Sequence, residues 1–312
     1  MFSTHIRNKH LSLAVLALLI SFSTLCQSET PNVVASTKPL HSLISHITNG
    51  TGETELLLDK QQSPHHFQLR PSQKRMLNRA DIFFYSSDNL ESFVEHLKEN
   101  NQDLEYIELS QVAGIQALTA RSFHNHSHHD HFSDNDSGKK NIDGHIWLSI
   151  NNARIIAQHV SEILTRLSPE NASSYANNLQ SLLTKLDTLQ DQNFQLLNQI
   201  KEKPFLVYHD AYQYFEVENK LTGAHFVTTT PEHTPGIKRI KLLRQLIQSE
   251  NIHCVFYEPP NIPGLIVTLT ENSNIKVEPI DPAGSQIQAG KQHYFTLMQQ
   301  TASILYTCLS DS

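Results

Sequence analysis

Histidine is the residue of this chain that most clearly offers chemistry, because imidazole is the commonest side-chain metal ligand and titrates near neutral pH. The chain contains 19 histidines in 312 residues. Three of them, His65, His145 and His209, lie where predicted loops meet the ends of predicted strands, which is where open α/β sheets place their ligands. A single histidine in such a position more often caps or hydrogen-bonds its neighbours. The set of three, drawn from two predicted lobes, instead indicates a metal site.

A second group of histidines is crowded into one polar segment. Residues 123–131 combine histidine with asparagine, serine and aspartate, and the polar run continues to residue 138. We expect a flexible loop, in which the entropy lost on ordering weakens metal coordination. Two interpretations stay open: an auxiliary low-affinity zinc collector, and a solvated loop with no required function. The histidines concerned are His124, His126, His128, His129 and His131.

Short apolar runs alternate with helical patterns in both halves of the chain. In the first half, strands are predicted at 32–36, 55–58, 81–85 and 104–109. In the second half, they are predicted at 204–208, 224–228, 254–257 and 275–280. Such alternation is typical of parallel, doubly wound sheets. The predicted fold class is therefore α/β, with two doubly wound lobes and the three histidines in the cleft between them.

One long helix is predicted between the two lobes. Ser168 and Pro169 open it, and neither glycine nor proline occurs from 170 to 203. Apolar residues on one face indicate a single rigid backbone helix of about 30 residues, with a solitary coiled coil as the alternative. The expected organisation is a signal peptide at 1–27, an N-terminal lobe at 28–167 with a His-rich loop at 121–141, the linking helix at 168–203 and a C-terminal lobe at 204–312.

The N-terminus has the pattern of an export signal. Arg7 and Lys9 precede an apolar run from 11 to 20, and small polar residues follow it. This run is too short to span a bilayer, so we expect cleavage close to Cys26 and release of a soluble exported protein. An uncleaved anchor and a lipoprotein at Cys26 are the alternatives. The net charge of -7, from 24 basic and 31 acidic residues, argues against nucleic-acid binding.

Two cysteines, Cys254 and Cys308, remain after the predicted cleavage. An even number of cysteines in an oxidising compartment indicates one disulfide, which here would join the C-terminal helix to a strand. Two buried free thiols are the alternative.

Five motifs, in order and over nearly all of the mature chain, carry a family resemblance. They are PHHFQLRP (64–71), DGHIWL (143–148), VYHDAY (207–212), EP (258–259) and DPAG (281–284). In these motifs the chain resembles the cluster A-I solute-binding proteins of metal ABC transporters, and among them the ZnuA-type periplasmic zinc-binding proteins. The resemblance implies two α/β lobes joined by a rigid helix, a metal ion between them, and delivery of that metal to an inner-membrane permease with its ATPase.

The resemblance also implies a ligand set. His65, His145 and His209 match the family's three histidine ligands. Manganese-binding relatives carry glutamate at the position of His209, whereas three imidazoles suit Zn²⁺. Asp281 matches the position from which many relatives supply a fourth, carboxylate ligand. The fourth ligand is thus Asp281, a water molecule or a histidine of the His-rich loop.

Other residues near these motifs have less certain roles. Some zinc-binding members carry a glutamate just before the first histidine, where this chain has Pro64. His66 is an alternative to its neighbour His65 as a ligand. Asp210 and Glu258 are candidates for orienting ligand histidines through the second ring nitrogen, and ordinary local hydrogen bonds are the alternative.

The expected function is high-affinity zinc capture by a monomeric periplasmic protein. A manganese- or iron-binding protein and a metal-dependent adhesin of the same fold are alternatives, because they would share the site and differ in ion or partner. A zinc hydrolase has less support, since the chain contains neither an H-E-x-x-H nor a G-x-S-x-G motif. We therefore expect a binding protein and not an enzyme.

Overall fold

The computed structural model describes residues 30–59, 62–122 and 141–311. The predicted signal peptide at 1–27 and the five histidines of the His-rich segment lie outside these residues. Among the described residues, no helix is long and apolar enough to cross a membrane.

Each lobe is built on a parallel sheet of four strands, as the alternating pattern predicts. The N-terminal sheet has the order β2-β1-β3-β4, and the C-terminal sheet has the order β6-β5-β7-β8. The strands are β1 (Val33–Ala35), β2 (Thr54–Leu56), β3 (Ile82–Tyr85), β4 (Glu105–Glu108), β5 (Phe205–His209), β6 (Ala224–Thr228), β7 (Cys254–Tyr257) and β8 (Lys276–Pro279).

Central strands are apolar and buried because helices cover both faces of a parallel sheet. All residues of β1 and β3 are buried, whereas the edge strand β8 is largely exposed. In both sheets the strand order reverses beside the first strand, between β1 and β3 and between β5 and β7. Such reversals open a crevice at the carboxyl ends of the strands. The crevices of the two lobes supply the residues of the candidate site.

Nine α-helices pack around and between the sheets within the described residues. They are α1 (Lys38–Ile47), α2 (Pro71–Leu77), α3 (Phe93–Asn100), α4 (Ile150–Leu167), α5 (Ala172–Leu197), α6 (Gln213–Asn219), α7 (Ile237–Ser249), α8 (Gly264–Thr270) and α9 (His293–Ser310).

The long helix α5 is shorter than the segment from which it was predicted. It spans 26 residues, because Pro169–Asn171 forms a separate 3-10 turn and the chain turns again after Leu197. Nor is it a solitary coiled coil, since α5 packs against α1, α4 and α9. The boundaries at 167/168 and 203/204 remain predictions.

One apolar core runs through both lobes. Its buried members include Leu43 and Trp147 of the N-terminal lobe, Leu186 of α5, and Phe256 and Leu305 of the C-terminal lobe. Two smaller clusters lie apart from this core, one in each lobe. The two sheets are therefore held together by buried surface as well as by chain connection, which fixes the cleft between them.

The predicted disulfide is confirmed. Cys254 of β7 and Cys308 of α9 are bonded, with a Cα–Cα distance of 6.1 Å. Both residues are buried. The bond fastens the last helix to the central region of the C-terminal sheet.

Candidate metal centre

The three histidines predicted as ligands meet in the cleft. Each offers one ring nitrogen, and these nitrogens lie within 4.8 Å of one another. The ring centroids are 5.5 Å apart for His65 and His145, 5.0 Å for His65 and His209, and 5.1 Å for His145 and His209. Within the described residues, this is the group of side chains that could hold a metal ion.

The three histidines come from different local structures. His65 is the middle residue of the 3-10 turn Pro64–His66, and its backbone amide donates to the Ser63 side chain at 3.3 Å. His209 is the last residue of β5 itself, not the residue after the strand as predicted. His145 does not follow a strand; it precedes the 3-10 turn Ile146–Leu148. Its position is set by the local turn Asp143-Gly144-His145.

The rings of the three histidines are largely shielded from water. His209 is 2% exposed and His145 is 4% exposed, while His65 is half-buried. The Nε2 atoms of His65 and His209 are buried and have no hydrogen-bond partner among the described residues. A buried polar atom without a partner is costly and calls for an explanation. A metal ion bound by the converging nitrogens supplies one.

Carboxylates orient two of the three rings. Glu258 accepts a hydrogen bond from Nδ1 of His209 at 2.6 Å, and Asp143 accepts one from Nδ1 of His145 at 2.7 Å. With Nδ1 donating, Nε2 carries the free lone pair and is the ligand atom. Such carboxylate–histidine pairs fix the ring and raise its basicity as a ligand.

Of the two residues that the sequence offered as candidates for orienting a histidine, Glu258 contacts a ring of the cluster. Glu258 follows β7, the strand beside β5, so it faces His209 across the strand-order reversal. Asp210 does not contact a ligand ring; it binds the guanidinium of Arg121. Asp143 was missed. Its signal was the Asp-Gly-His spacing, which lets a carboxylate two residues earlier reach both the backbone amide and Nδ1 of His145.

The protonation of the site is set by burial and by these carboxylates. Burial, followed by the neighbouring His145 and His209, lowers the pKa of His65 to about 2, which keeps that ring neutral at physiological pH. Burial also lowers the pKa of His209, but the charge and hydrogen bond of Glu258 outweigh burial and leave this pKa above its ordinary value. Of these two rings, His209 is therefore the one at which a metal ion competes with a proton.

Asp281 lies in the same cavity as the three histidines but not in their cluster. The cavity has a volume of about 210 Å³ and is also lined by Trp147 and Glu258. Both carboxylate oxygens of Asp281 accept backbone hydrogen bonds, from Ala283 at 2.9 Å and from Ser285 at 2.6 Å. Its role as the fourth ligand stays a prediction.

His66 lies at the rim of the cleft. Its side chain is 70% exposed and its Nε2 is 3.7 Å from the carboxylate of Glu232, which belongs to the opposite lobe. His65 is thus the member of the His65-His66 pair that faces the other two histidines. The five histidines of the His-rich segment lie outside the described residues.

The loop that carries Asp281 is fastened to the N-terminal lobe. Lys38 at the start of α1 donates to the carbonyl oxygens of Ser285 at 2.7 Å and Ile287 at 2.9 Å. The indole of Trp147 donates to the carbonyl oxygen of Pro282 at 2.8 Å. These contacts cross from one lobe to the other, so the cavity has walls from both lobes. Fold and site together define a class, the two-lobed binding proteins that present metal-ligand side chains in the cleft between their lobes.

Comparison with known sequences identifies the family. The family described as zinc-uptake complex component A, periplasmic (ZnuA), matches residues 33–308. The high-affinity zinc uptake system protein ZnuA of Brucella suis biovar 1 (strain 1330) is 29% identical over 332 residues, covering 97% of this chain and 99% of the relative. The ZnuA of Haemophilus ducreyi (strain 35000HP / ATCC 700724) is 31% identical over 293 residues, covering 89% and 93%. The chain belongs to the ZnuA family.

Solved structures show the same fold. A crystal structure of ZnuA superposes with a TM-score of 0.75 at 19% identity, covering 90% of this chain and 99% of that one. The AdcAII protein of Streptococcus pneumoniae superposes with a TM-score of 0.73 at 19% identity, again covering 90% and 99%. At these identities the likeness shows the fold alone, and it confirms the predicted pair of α/β lobes.

Proposed function

We propose that this protein captures Zn²⁺ between its lobes and delivers it to a membrane permease for import. The observation that carries the proposal is the convergence of His65, His145 and His209, whose ring nitrogens lie within 4.8 Å of one another. Imidazole is a ligand of zinc, copper, iron and nickel, whereas manganese favours oxygen ligands. The names of the relatives, high-affinity zinc uptake system proteins, support zinc among these.

The chemistry of the donor set fits a bound zinc ion. Three neutral imidazoles leave the ion with its full charge. Asp143 and Glu258 accept hydrogen bonds from the Nδ1 atoms of two of these rings. Zinc prefers four ligands in a tetrahedral arrangement. We assign the fourth position to Asp281, which lines the cavity. To bind, its carboxylate exchanges at least one of its backbone hydrogen bonds for the ion, and a water molecule is the competing ligand.

The setting of this function follows from the family. We infer that residues 1–27 direct export and are removed, and that the mature monomer works in the periplasm. Its partner is then an ABC permease with an ATPase, which receives zinc from the cleft. A hydrolase would need a general base beside the metal. Glu258 and Asp143, which lie nearest the histidines, are instead hydrogen-bonded to ligand rings.

Titration of metal-stripped protein with zinc tests the proposal. Wild-type protein is expected to bind one zinc ion tightly. His209→Ala is expected to weaken that binding by about 100-fold or more, because loss of a ligand nitrogen should exceed the roughly 10–100-fold effect of losing a residue that supports a ligand. His225→Ala is the matched control, since His225 also pairs with a carboxylate, that of Glu250 at 2.7 Å, but lies outside the cleft. Unchanged zinc affinity in His209→Ala would contradict the proposal.

A further inference from the structure

Two short segments form a neck on the N-terminal lobe, defined here as residues 118–122 and 141–143. They pair in antiparallel fashion at a bridge between Thr119 and Ile142. Backbone hydrogen bonds of 2.9 Å flank this bridge, from the amide of Ala120 and from the amide of Asp143. Because Asp143 also accepts the Nδ1 hydrogen bond of His145, the neck is directly connected to one ligand of the candidate site.

The side chain of Arg121 extends from the neck to the C-terminal lobe. Its Nε lies 2.9 Å from each carboxylate oxygen of Asp210, and its Nη2 also binds Asp210. Its Nη1 donates to Glu216 of α6 at 2.8 Å. The acidic side chains are only 4% and 6% exposed. One guanidinium therefore holds two buried carboxylates, in the fork geometry that arginine provides and lysine does not.

Asp210 connects this group of charged side chains to the second ligand, His209. Asp210 directly follows His209, and its backbone amide donates to the carbonyl oxygen of Thr228 at 3.0 Å, so its position is fixed with the end of β5. Arg121 thus acts on the chain next to His209 and does not touch the ring of His209 itself.

Tyr214 makes a second link between the same two regions. Its hydroxyl donates to the carbonyl oxygen of Asp143 at 2.8 Å and accepts from the backbone amide of Leu118 at 3.0 Å. Tyr214 is on α6 and is 2% exposed. Arg121 and Tyr214 together complete a chain of contacts that runs from His145 through the neck and α6 to His209.

We propose that Arg121 is a positioning residue that sets the separation of His145 and His209 across the cleft, and so sets the geometry of zinc binding. This inference rests on the proposed function. Without the guanidinium, Asp210 and Glu216 would lose the cation that is hydrogen-bonded to both of them, and buried carboxylates that lose such a partner move toward water. Movement of Asp210 carries His209 with it, because the two residues are adjacent in the chain.

The test compares two substitutions of Arg121 with a matched control. Arg121→Gln removes the charge, and Arg121→Lys keeps the charge without the fork. Arg154→Gln is the control, because Arg154 also binds a carboxylate, Asp187 at 2.9 Å, but joins α4 to α5 outside the cleft. Zinc affinity, the visible absorption spectrum of bound Co²⁺ and the urea midpoint of the metal-free protein are measured for each variant.

We expect Arg121→Gln to weaken zinc binding by about 10–100-fold, the range seen when a residue supporting a metal ligand is lost. Arg121→Lys is expected to fall between this variant and the wild type. The Co²⁺ spectrum should change in both, because it reports the arrangement of the ligands, whereas Arg154→Gln should keep the wild-type affinity and spectrum. If Arg121→Gln does not fold, Arg121→Lys carries the test.

Two results would overturn the inference. One is wild-type zinc affinity and an unaltered Co²⁺ spectrum in both Arg121 variants. The other is a loss of affinity that Arg154→Gln reproduces, with the spectrum unaltered in all variants, which would indicate general destabilisation. Failure of the wild-type protein to bind zinc would instead contradict the proposed function, so the two failures are distinguishable.

Discussion

At the scale of single residues, the site depends on which nitrogen of each histidine is left free. Glu258 and Asp143 hold the Nδ1 atoms of His209 and His145, at 2.6 Å and 2.7 Å, so the Nε2 atoms are available to a metal ion. His65 has no such carboxylate among the described residues. Burial and its neighbouring histidines keep it neutral instead, by lowering its pKa to about 2. Two of the three histidines are thus oriented by carboxylates, and the third is kept neutral by burial and by its neighbours.

Removal of the carboxylate at Glu258 is predicted to weaken zinc binding without removing a ligand. Glu258→Ala should raise the zinc dissociation constant by about 10–100-fold, because the ring of His209 loses its orientation and part of its basicity. Glu258→Gln keeps an acceptor oxygen without charge and should have a smaller effect. Competition with a chromophoric chelator measures both constants.

Glu250→Ala is the control for this prediction, because Glu250 forms a carboxylate–histidine pair with His225 away from the cleft. It should bind zinc as the wild type does. Equal affinities for Glu258→Ala and Glu250→Ala would show that the contact with His209 has no role in binding.

The sequence predicted the three histidines but not all of their surroundings. Motif order and chain position separated His65, His145 and His209 from the other histidines. Asp143 was not predicted as an orienting residue, because its role depends on the turn at Gly144 and not on the strand pattern. Arg121 could not be found either, since its partners Asp210 and Glu216 lie about ninety residues further along the chain.

At the scale of elements, strands were easier to predict than helix ends or helix contacts. Short runs of six residues or fewer, bounded by turns, predicted each strand to within about two residues. For the central strands β1 and β3 the reason is burial on both faces, which leaves little freedom of composition. The long helix α5 is shorter than predicted because Pro169 starts a 3-10 turn and not the helix itself. Its packing against α1 and α9 joins residues far apart in sequence, which periodicity does not reveal.

Two buried histidines, one on α1 and one at the start of α9, are predicted to make folding stability depend on pH. His46 of α1 binds the carbonyl oxygen of Lys291, and His293 at the start of α9 binds that of Gly284. Burial lowers the pKa of each of these histidines to about 4. In the unfolded chain they take up protons near pH 6.5, so the unfolded state binds more protons between pH 6.5 and 4 and stability falls as the pH is lowered.

The loss is expected to be on the order of 2 kcal/mol for each buried histidine by pH 4, after allowance for solvent screening. Urea midpoints at pH 7.5, 5.5 and 4.5 measure it. His46→Gln, which can still donate to Lys291, should lose less stability on acidification than the wild type. His96→Gln, at an exposed position of α3, should follow the wild type. An equal acid response in His46→Gln and His96→Gln would contradict this account of α1.

At the scale of the whole molecule, the cleft is assembled by contacts between lobes and not by the linking helix alone. The main apolar core has members in both lobes and in α5. Polar contacts cross as well, including Lys38 to the Asp281 loop and Glu218 of α6 to the backbone amide of Ile150 at 3.0 Å. This organisation favours local rearrangement of loops over a wide rotation of the lobes.

The His-rich segment and the three dispersed histidines are assigned different roles in zinc binding. Composition draws attention to the five histidines between 124 and 131, but the cluster formed by described residues consists of His65, His145 and His209. We assign tight binding to this cluster in the cleft, and the auxiliary, weaker role of the segment stays a prediction. Removing residues 124–137 should leave the cleft site intact.

Native mass spectrometry of protein purified without added metal tests the central claim most directly, because it reports both the identity and the number of bound ions. After a wash with a weak chelator, the wild-type protein and the variant lacking 124–137 are each predicted to carry one zinc ion, while His209→Ala carries none. A different ion in the wild type, or loss of the tightly held zinc in the variant lacking 124–137, would contradict zinc capture by His65, His145 and His209.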